Sequence, residues 1–410
     1  MTAQDAVEAV FRIERARIIA GVTRIVRDVG IAEEIAQDAL VAALEQWPGE
    51  GVPENPGGWL LVTARRRAVD LVRRKETYAR KLAEVGRARE DIPEPEPPDP
   101  DSIDDDMLRL IFTACHPVLS TEARIALTLR LVGGLTTAEI ARAFLTGEAT
   151  VAQRIVRAKR SLARAGVPFE VPEGPDRTAR LGSVLEVIYL IFNEGYAATA
   201  GDDLLRPALC EDALRLGRVL AALMPKESEV HGLVALLELQ ASRTAARTGP
   251  DGRPVLLAEQ NRTRWSPLLI RRGFAALDRG SELAGTPGPY LLQAAIAACH
   301  ARAVRYEETD WATIATLYGL LARAAPSPVV ELNRAVAVSM AYGAEEGLAL
   351  VDALAADPAL SGYHLLPSVR GDLLARLGRE AEARSEFRRA AALTRNARER
   401  VLLLARAEQP

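Results

Sequence analysis

The chain has 410 residues, 49% of them hydrophobic and only 5% aromatic, with a formal net charge of −3. That length allows about two to four domains with sizeable cores. Three cysteines without a CxxC exclude a disulfide framework, and the absence of an uncharged apolar run of ~20 residues excludes a membrane-spanning helix.

The first residues, MTAQDAVEAVFRIERARIIAG, are broken by charges before an apolar run forms, so no signal peptide is expected. The expected location is cytoplasmic. Ala, Leu and Arg are plentiful, and they lose little side-chain freedom in a helix, so an all-α fold is expected. The net charge says less than its distribution, because basic and acidic residues fall in separate blocks.

From about Ala6 to Lys81 the pattern is helical, with one break at Pro48–Gly58. Within it, Ala32–Trp47 (AEEIAQDALVAALEQW) turns Ile35, Leu40 and Leu44 inward. Its other side offers Glu34, Gln37, Asp38 and Glu45 and no basic residue. Such a face repels nucleic acid and suits a basic protein partner; alone, it also fits an acidic face turned to water. The next helix, Trp59–Lys75 (WLLVTARRRAVDLVRRK), is basic. Leu61, Ala64, Ala68 and Leu71 form one side; Arg66, Arg67, Asp70, Arg73 and Arg74 form the other. A basic helix beside a Pro/Gly loop and Trp59 suits unpaired DNA, where backbone charge and an extruded base are both held. Taken alone, it too fits a solvated face.

Between Glu90 and Asp106 lie nine acids, five prolines and no Lys or Arg. Proline opposes helix and the acids repel one another, which predicts an extended linker over 86–106. Helical periodicity resumes at Met107 and reaches about Ala165. Thr136 and Glu139 have capping-box spacing, and a second helix is expected from about Glu148. On it Val151, Ile155, Ala158 and Leu162 share one side. Thr150, Gln153, Arg157, Arg160 and Arg164 lie opposite. One packing face and one cationic, hydrogen-bonding face is the division that a helix-turn-helix needs to enter a major groove.

A Pro/Gly stretch, Val167–Pro175, marks the next boundary, and helix is expected almost throughout Ala179–Ala407. No strand is expected; Arg253–Leu257 is too short to carry a sheet. Gly343 and Gly378 stand in turns between helices, and Gly378, Ala383, Phe387 and Ala390 have the spacing of a tetratricopeptide-like (TPR-like) pair. Cys115-His116 and Cys299-His300 read as buried cysteines with hydrogen-bonded histidines rather than metal ligands. The run Glu259, Asn261, Arg262, Arg264 fits a ligand groove, a solvated loop or a latch. No nucleophile–base–acid set is visible, and no catalysis, metal or cofactor is expected.

In this order the pieces resemble extracytoplasmic-function (ECF) sigma factors of the sigma-70 family. EEIAQDAL resembles their region 2.2, PGGWLLVTARRRAVDLVRRK their regions 2.3 and 2.4, and LTTAEIARAFLTGEATVAQRIVRAKRSL their region 4.2. The resemblance implies region 2 over 1–85 and region 4 over 107–170, both small helical domains. It implies core RNA polymerase as partner through the β′ clamp and β flap, with Glu34, Gln37 and Asp38 on polymerase. It places Trp59, Arg66, Asp70, Arg73 and Arg74 at the minus-ten element. Thr150, Gln153, Arg154, Arg157 and Arg160 would enter the minus-thirty-five groove of promoter DNA. The linker is expected along the nascent-RNA path. Arg66 replaces an Asn common in the family, and Gly147 replaces a Ser-type cap.

IYLIFNEGYAAT, LLAEQNRTRW, LLQAAIAACHA and PSPVVELNRAVAV resemble the sigma group with a long TPR-containing extension. That implies a helical domain over 176–410, TPR-like at about 326–395, open to a signal protein or ligand. A one-component regulator with a helical sensor would explain 107–410 equally well. It leaves the acidic helix and the Trp-bearing basic helix unexplained.

Overall fold

The structure, a computed structural model, describes residues 3–82, 100–144, 146–198, 200–250 and 252–408. Residues 83–99, which include 86–99 of the expected linker, lie outside them. The chain divides into two units, Met1–Ile188 and Tyr189–Pro410. Helix dominates both, as the composition implies.

The first unit opens with α1 (Ala3–Val26), α2 (Val29–Glu50) and α3 (Pro56–Leu82), each packed on the other two. Ile18, Ile19, Ala36, Leu60 and Ala64 are fully buried among them. Asp28 caps α2 by accepting from Gly30 N at 2.7 Å and Ile31 N at 3.0 Å. The loop expected at Pro48–Gly58 is shorter, residues 51–55. Pro48 forgoes only one bond in the last turn of α2, and the helix closes where Gly51 N donates to Trp47 O at 3.0 Å. Pro56 sits at the start of α3, where its missing N–H costs nothing, and Asn55 Oδ1 accepts from Gly58 N at 2.9 Å.

Four helices follow: α4 (Pro100–Ala114), α5 (Thr121–Leu131), α6 (Thr137–Ala143) and α7 (Glu148–Arg164). The start of α4 corrects the linker: residues 100–106 are helical, and Asp106 is fully buried rather than extended in solvent. Proline is accommodated in a first turn and acids favour a helix N-terminus, so the composition that argued for a linker also starts a helix.

The next helix, α8 (Gly174–Tyr196), carries the division between the units. The boundary expected at 175 is therefore early by about half of this helix, the division falling after Ile188. Leu181, Val184 and Leu185 are buried. Ser183 Oγ donates to Cys115 O at 2.7 Å, and Arg124 reaches both Ser183 and Glu186.

The second unit continues through α9 (Pro207–Leu223), α10 (Ser228–Ala241), α11 (Pro267–Leu283), α12 (Pro289–Arg302) and α13 (Trp311–Ala324). Then come α14 (Pro328–Tyr342), α15 (Ala344–Leu354), α16 (Leu365–Arg376), α17 (Glu380–Leu393) and α18 (Ala397–Glu408). Sequential helices pack on one another, α10 on α11 most extensively, with α14 on α15 and α16 on α17 as two further close pairs. Gly343 at φ 126° and Gly378 at φ 73° make the turns within these two pairs, a conformation that other residues resist. Ala383, Phe387 and Ala390 are buried with Leu332, Ala335, Leu348 and Val351 in one cluster.

One short parallel pair was not legible: β1 (Ala200–Gly201) beside β2 (Arg395–Asn396). Asn396, fully buried, explains it. Its Nδ2 donates to Ala198 O at 3.1 Å and Asp203 O at 2.9 Å, while its Oδ1 caps α18 by accepting from Arg398 N and Glu399 N. Two residues per strand carry no alternating pattern to read.

Candidate polymerase and promoter interface

The helix-turn-helix forms as its sequence dictates. Thr136 Oγ1 accepts from Glu139 N at 3.1 Å while Glu139 Oε2 accepts from Thr136 N at 2.7 Å, a reciprocal cap on α6. Leu145, between α6 and α7, lies outside the described residues. On α7 the buried residues are Val151, Ile155, Ala158 and Leu162, the stripe expected from spacing. Thr150, Gln153, Arg157, Arg160 and Arg164 are exposed, and Arg154 is half-buried. Gly147 is the N-cap without a side-chain bond.

On α3, Leu61, Ala64 and Ala68 are buried, while Arg66, Arg67, Asp70, Arg73 and Arg74 are exposed. Arg73 makes a further contact besides its carbonyl's bond to Thr77 Oγ1 at 2.8 Å. Trp59 is half-buried at the start of this helix, edge-on to the buried Trp47 with centroids 5.5 Å apart. The pair pins the first turn of α3 beside the end of α2, next to the 51–55 loop. The exposed face of α2 presents Glu34, Gln37, Asp38 and Glu45 around Val41, which is 48% exposed. Asp38 also meets Arg67 across to α3 at 3.7 Å, a surface pair of small energetic weight.

Spacing missed the buried charges. Glu33 is 5% exposed, and three cations converge on it: Arg15 from α1, Arg130 from α5 at 2.7 Å, and Lys159 from α7. Burial pushes the Glu33 carboxyl up, but Lys159, Arg130 and Arg15 outweigh that and hold it below the usual carboxylate range. A second buried acid, Asp106 of α4, meets Arg109 at 2.8 Å and Arg24 of α1 at 3.6 Å. The fully wrapped Arg65 of α3 lies beside it. Here burial wins, and the Asp106 carboxyl is raised. The signal for Glu33 was present: it lies on the α2 stripe with Val29, Ala32 and Ala36, where an acid needs partners.

The second unit resolves the remaining motifs. Arg262 is a latch: Nη1 donates to His300 O and Ala303 O, both at 2.6 Å, and joins its segment to the end of α12. Cys115, Cys210 and Cys299 are buried, and burial pushes the Cys115 thiol up to about 11. His116 Nδ1 accepts from Val118 N at 3.1 Å. His300 departs from expectation, since its Nδ1 has no hydrogen-bond partner. Among the described residues no helix is long and apolar enough to cross a membrane.

Three family models match the chain in succession: sigma-70 region 2 over residues 10–77, sigma-70 region 4 over 109–162, and a family of unknown function, DUF6596, over 180–281. An uncharacterized protein of Rhizobium meliloti (strain 1021) is 45% identical over 390 residues, covering 94% of this chain and 91% of that one. The ECF RNA polymerase sigma factor SigK of Mycobacterium sp. (strain KMS) is 32% identical over 155 residues, covering 37% of this chain and 78% of its own. SigK of Mycobacterium tuberculosis (strain ATCC 25177 / H37Ra) is 31% identical over 152 residues, 36% of this chain and 79% of its own. The α2–α3 pair and the α4–α7 helix-turn-helix thus coincide with the two sigma-70 regions. The chain belongs to the ECF RNA polymerase sigma factors of the sigma-70 family, carries a long helical C-terminal extension, and directs the initiation of transcription.

Proposed function

We propose that each exposed face described above has one partner within the initiation complex. The acidic face of α2, Glu34, Gln37 and Asp38, docks on the β′ clamp of core polymerase, and region 4 rests on the β flap. Trp59, Arg66, Asp70, Arg73 and Arg74 hold the opened minus-ten strand beside the 51–55 loop. Thr150, Gln153, Arg154, Arg157 and Arg160 read the minus-thirty-five element. The carrying observation is the split of α7, with four buried apolar residues on one side and an exposed donor face on the other. Run-off transcription with core enzyme tests it. Arg157→Ala should weaken minus-thirty-five binding by ~1–3 kcal/mol and leave core binding unchanged; weak core binding with normal promoter binding would overturn the assignment.

The extension, on this reading, regulates that activity through a signal protein or ligand and adds no reaction of its own. Over half the chain follows region 4, and its helix pairs are the kind that stack into binding surfaces. A truncation to test this belongs after Tyr196 rather than 175, because Ser183 and Leu185 are part of the first unit. Run-off activity equal to full length, with and without cell extract, would remove the regulatory role.

A further inference from the structure

The second unit contains two arginines for which the sigma activity has no use. After α10 the chain leaves the helical layers over residues 242–266 and returns where Ser266 N donates to Ser242 O at 2.8 Å. The excursion brings Arg243 and Arg262 to one indole: their Cζ atoms lie 5.4 and 4.7 Å from the Trp265 ring centroid. Trp265 is only 4% exposed. Arg262 is held by carbonyls and by Thr309 Oγ1 at 3.3 Å. Arg243 has no hydrogen bond from its side chain, and neither arginine has an ion pair among the described residues.

Two like charges share a ring here with no ion pair among the described residues; Glu307 and Glu308 act on Arg262 only from a distance, and Glu308 is already paired with Arg305. Four buried polar atoms of the residues that meet here also lack partners, Arg243 Nε, Arg262 Nε, Trp265 Nε1 and His300 Nδ1, and so does Gln260 Oε1 of the same excursion. Gln260 is 8% exposed, and its Nε2 is already committed to Val255 O at 3.2 Å. Burial, then Arg243 and Arg262, depress the neighbouring His300 to about 4, so its imidazole is neutral at physiological pH and adds no third charge. Buried polar atoms without partners are rare, and a cluster of them calls for ordered water or a bound group. The two guanidinium groups and the indole N–H are donors, which fits an oxyanion. Gln260 Oε1 is an acceptor, so the group also brings an O–H. Both arginines are half-buried, which leaves a way in.

We propose that this nest binds a small hydroxylated oxyanion, either a protonated phosphate group or the carboxylate of a hydroxy acid. Arg243, Arg262 and the Trp265 N–H donate to it, and Gln260 accepts from it. The site deepens the regulatory reading of the extension by naming its input. Binding is measured without transcription, so a bound anion that leaves run-off unchanged would refute only the regulatory role.

The test is calorimetric titration and thermal unfolding of the full chain at constant ionic strength, with inorganic phosphate, L-malate and sulfate. Saturable binding of phosphate or malate is expected, and which of the two binds identifies the class. Sulfate, without an O–H at neutral pH, should bind at least tenfold more weakly than the better of them. Arg243→Gln should weaken binding at least tenfold, while Arg264→Gln, an exposed neighbour, should not. If Arg243→Gln does not fold, Arg243→Lys, which loses the guanidinium fork, should still bind at least tenfold more weakly. No saturable binding of either probe, sulfate binding as tight as theirs, or an undiminished affinity in the folded Arg243 variant overturns the proposal.

Discussion

In the first unit three cations converge on one carboxylate, Glu33; in the second, two guanidinium groups converge on one indole, Trp265, and no carboxylate among the described residues comes within ion-pair distance of them. The first is withdrawn from water and the second only partly, and both join segments apart in sequence. The first is closed by the chain's own atoms: Glu33 Oε1 and Oε2 are both taken. The second leaves donors and an acceptor open. A buried charge with its countercharge is architecture, whereas the half-buried pair on Trp265 is where the proposed anion would supply the countercharge. That difference separates structural from receptive polar groups better than burial or charge alone.

The largest effect should come from opening the closed cluster. Glu33→Ala leaves Arg15, Arg130 and Lys159 facing one another and should destabilise the first unit by roughly 3–5 kcal/mol, read by denaturant unfolding. A loss below ~1 kcal/mol, the weight of a surface pair, would break the comparison.

A smaller effect separates Glu33 from its exposed neighbours on the same helix. Reversing Glu34 and Asp38 to Lys should lower affinity for core polymerase by about tenfold, ~1.4 kcal/mol. Stability should stay within ~0.5 kcal/mol, as for other surface substitutions. Unaltered co-purification with core would remove α2 from the polymerase interface.

The unmutated cluster gives the gentlest version of the first experiment. The Glu33 carboxyl is depressed in the folded chain. Its contribution is therefore complete above the ordinary carboxylate value of ~4.3 and is lost as pH falls through the depressed one. Acid unfolding of the first unit should flatten below that window when Glu33 is replaced by Gln, and an unchanged acid limb would count against the cluster.

Much of this was readable along the chain because helices advertise one face at a time. The α7 stripe and the capping box of α6 follow from spacing alone, and the turns at Gly343 and Gly378 from a residue that tolerates positive φ. What escaped depended on contacts between distant segments. Glu33 meets Arg130 and Lys159 from nearly a hundred residues away or more, so its place on an apolar stripe had no visible explanation. Residues 100–106 were misread because a Pro- and Asp-rich run suits both an extended chain and a helix start. Arg262 lay in a run that fitted groove, loop or latch, and only the carbonyls of His300 and Ala303 decide for the latch.

The Glu33 cluster also sets a length. Lys159 lies on α7, the helix proposed to read the promoter, and Glu33 on α2, so in this state these two elements stand side by side. The minus-ten and minus-thirty-five elements are about 25 base pairs apart, roughly 85 Å of duplex. No arrangement with Lys159 on Glu33 can span that distance. Reaching both elements parts α7 and α5 from α2 and exposes Glu33 to water, and the work of separation is subtracted from the affinity for DNA. On the proposed site assignments, one carboxylate thereby sets a threshold that a promoter or the polymerase must exceed before the factor can stretch across both sites.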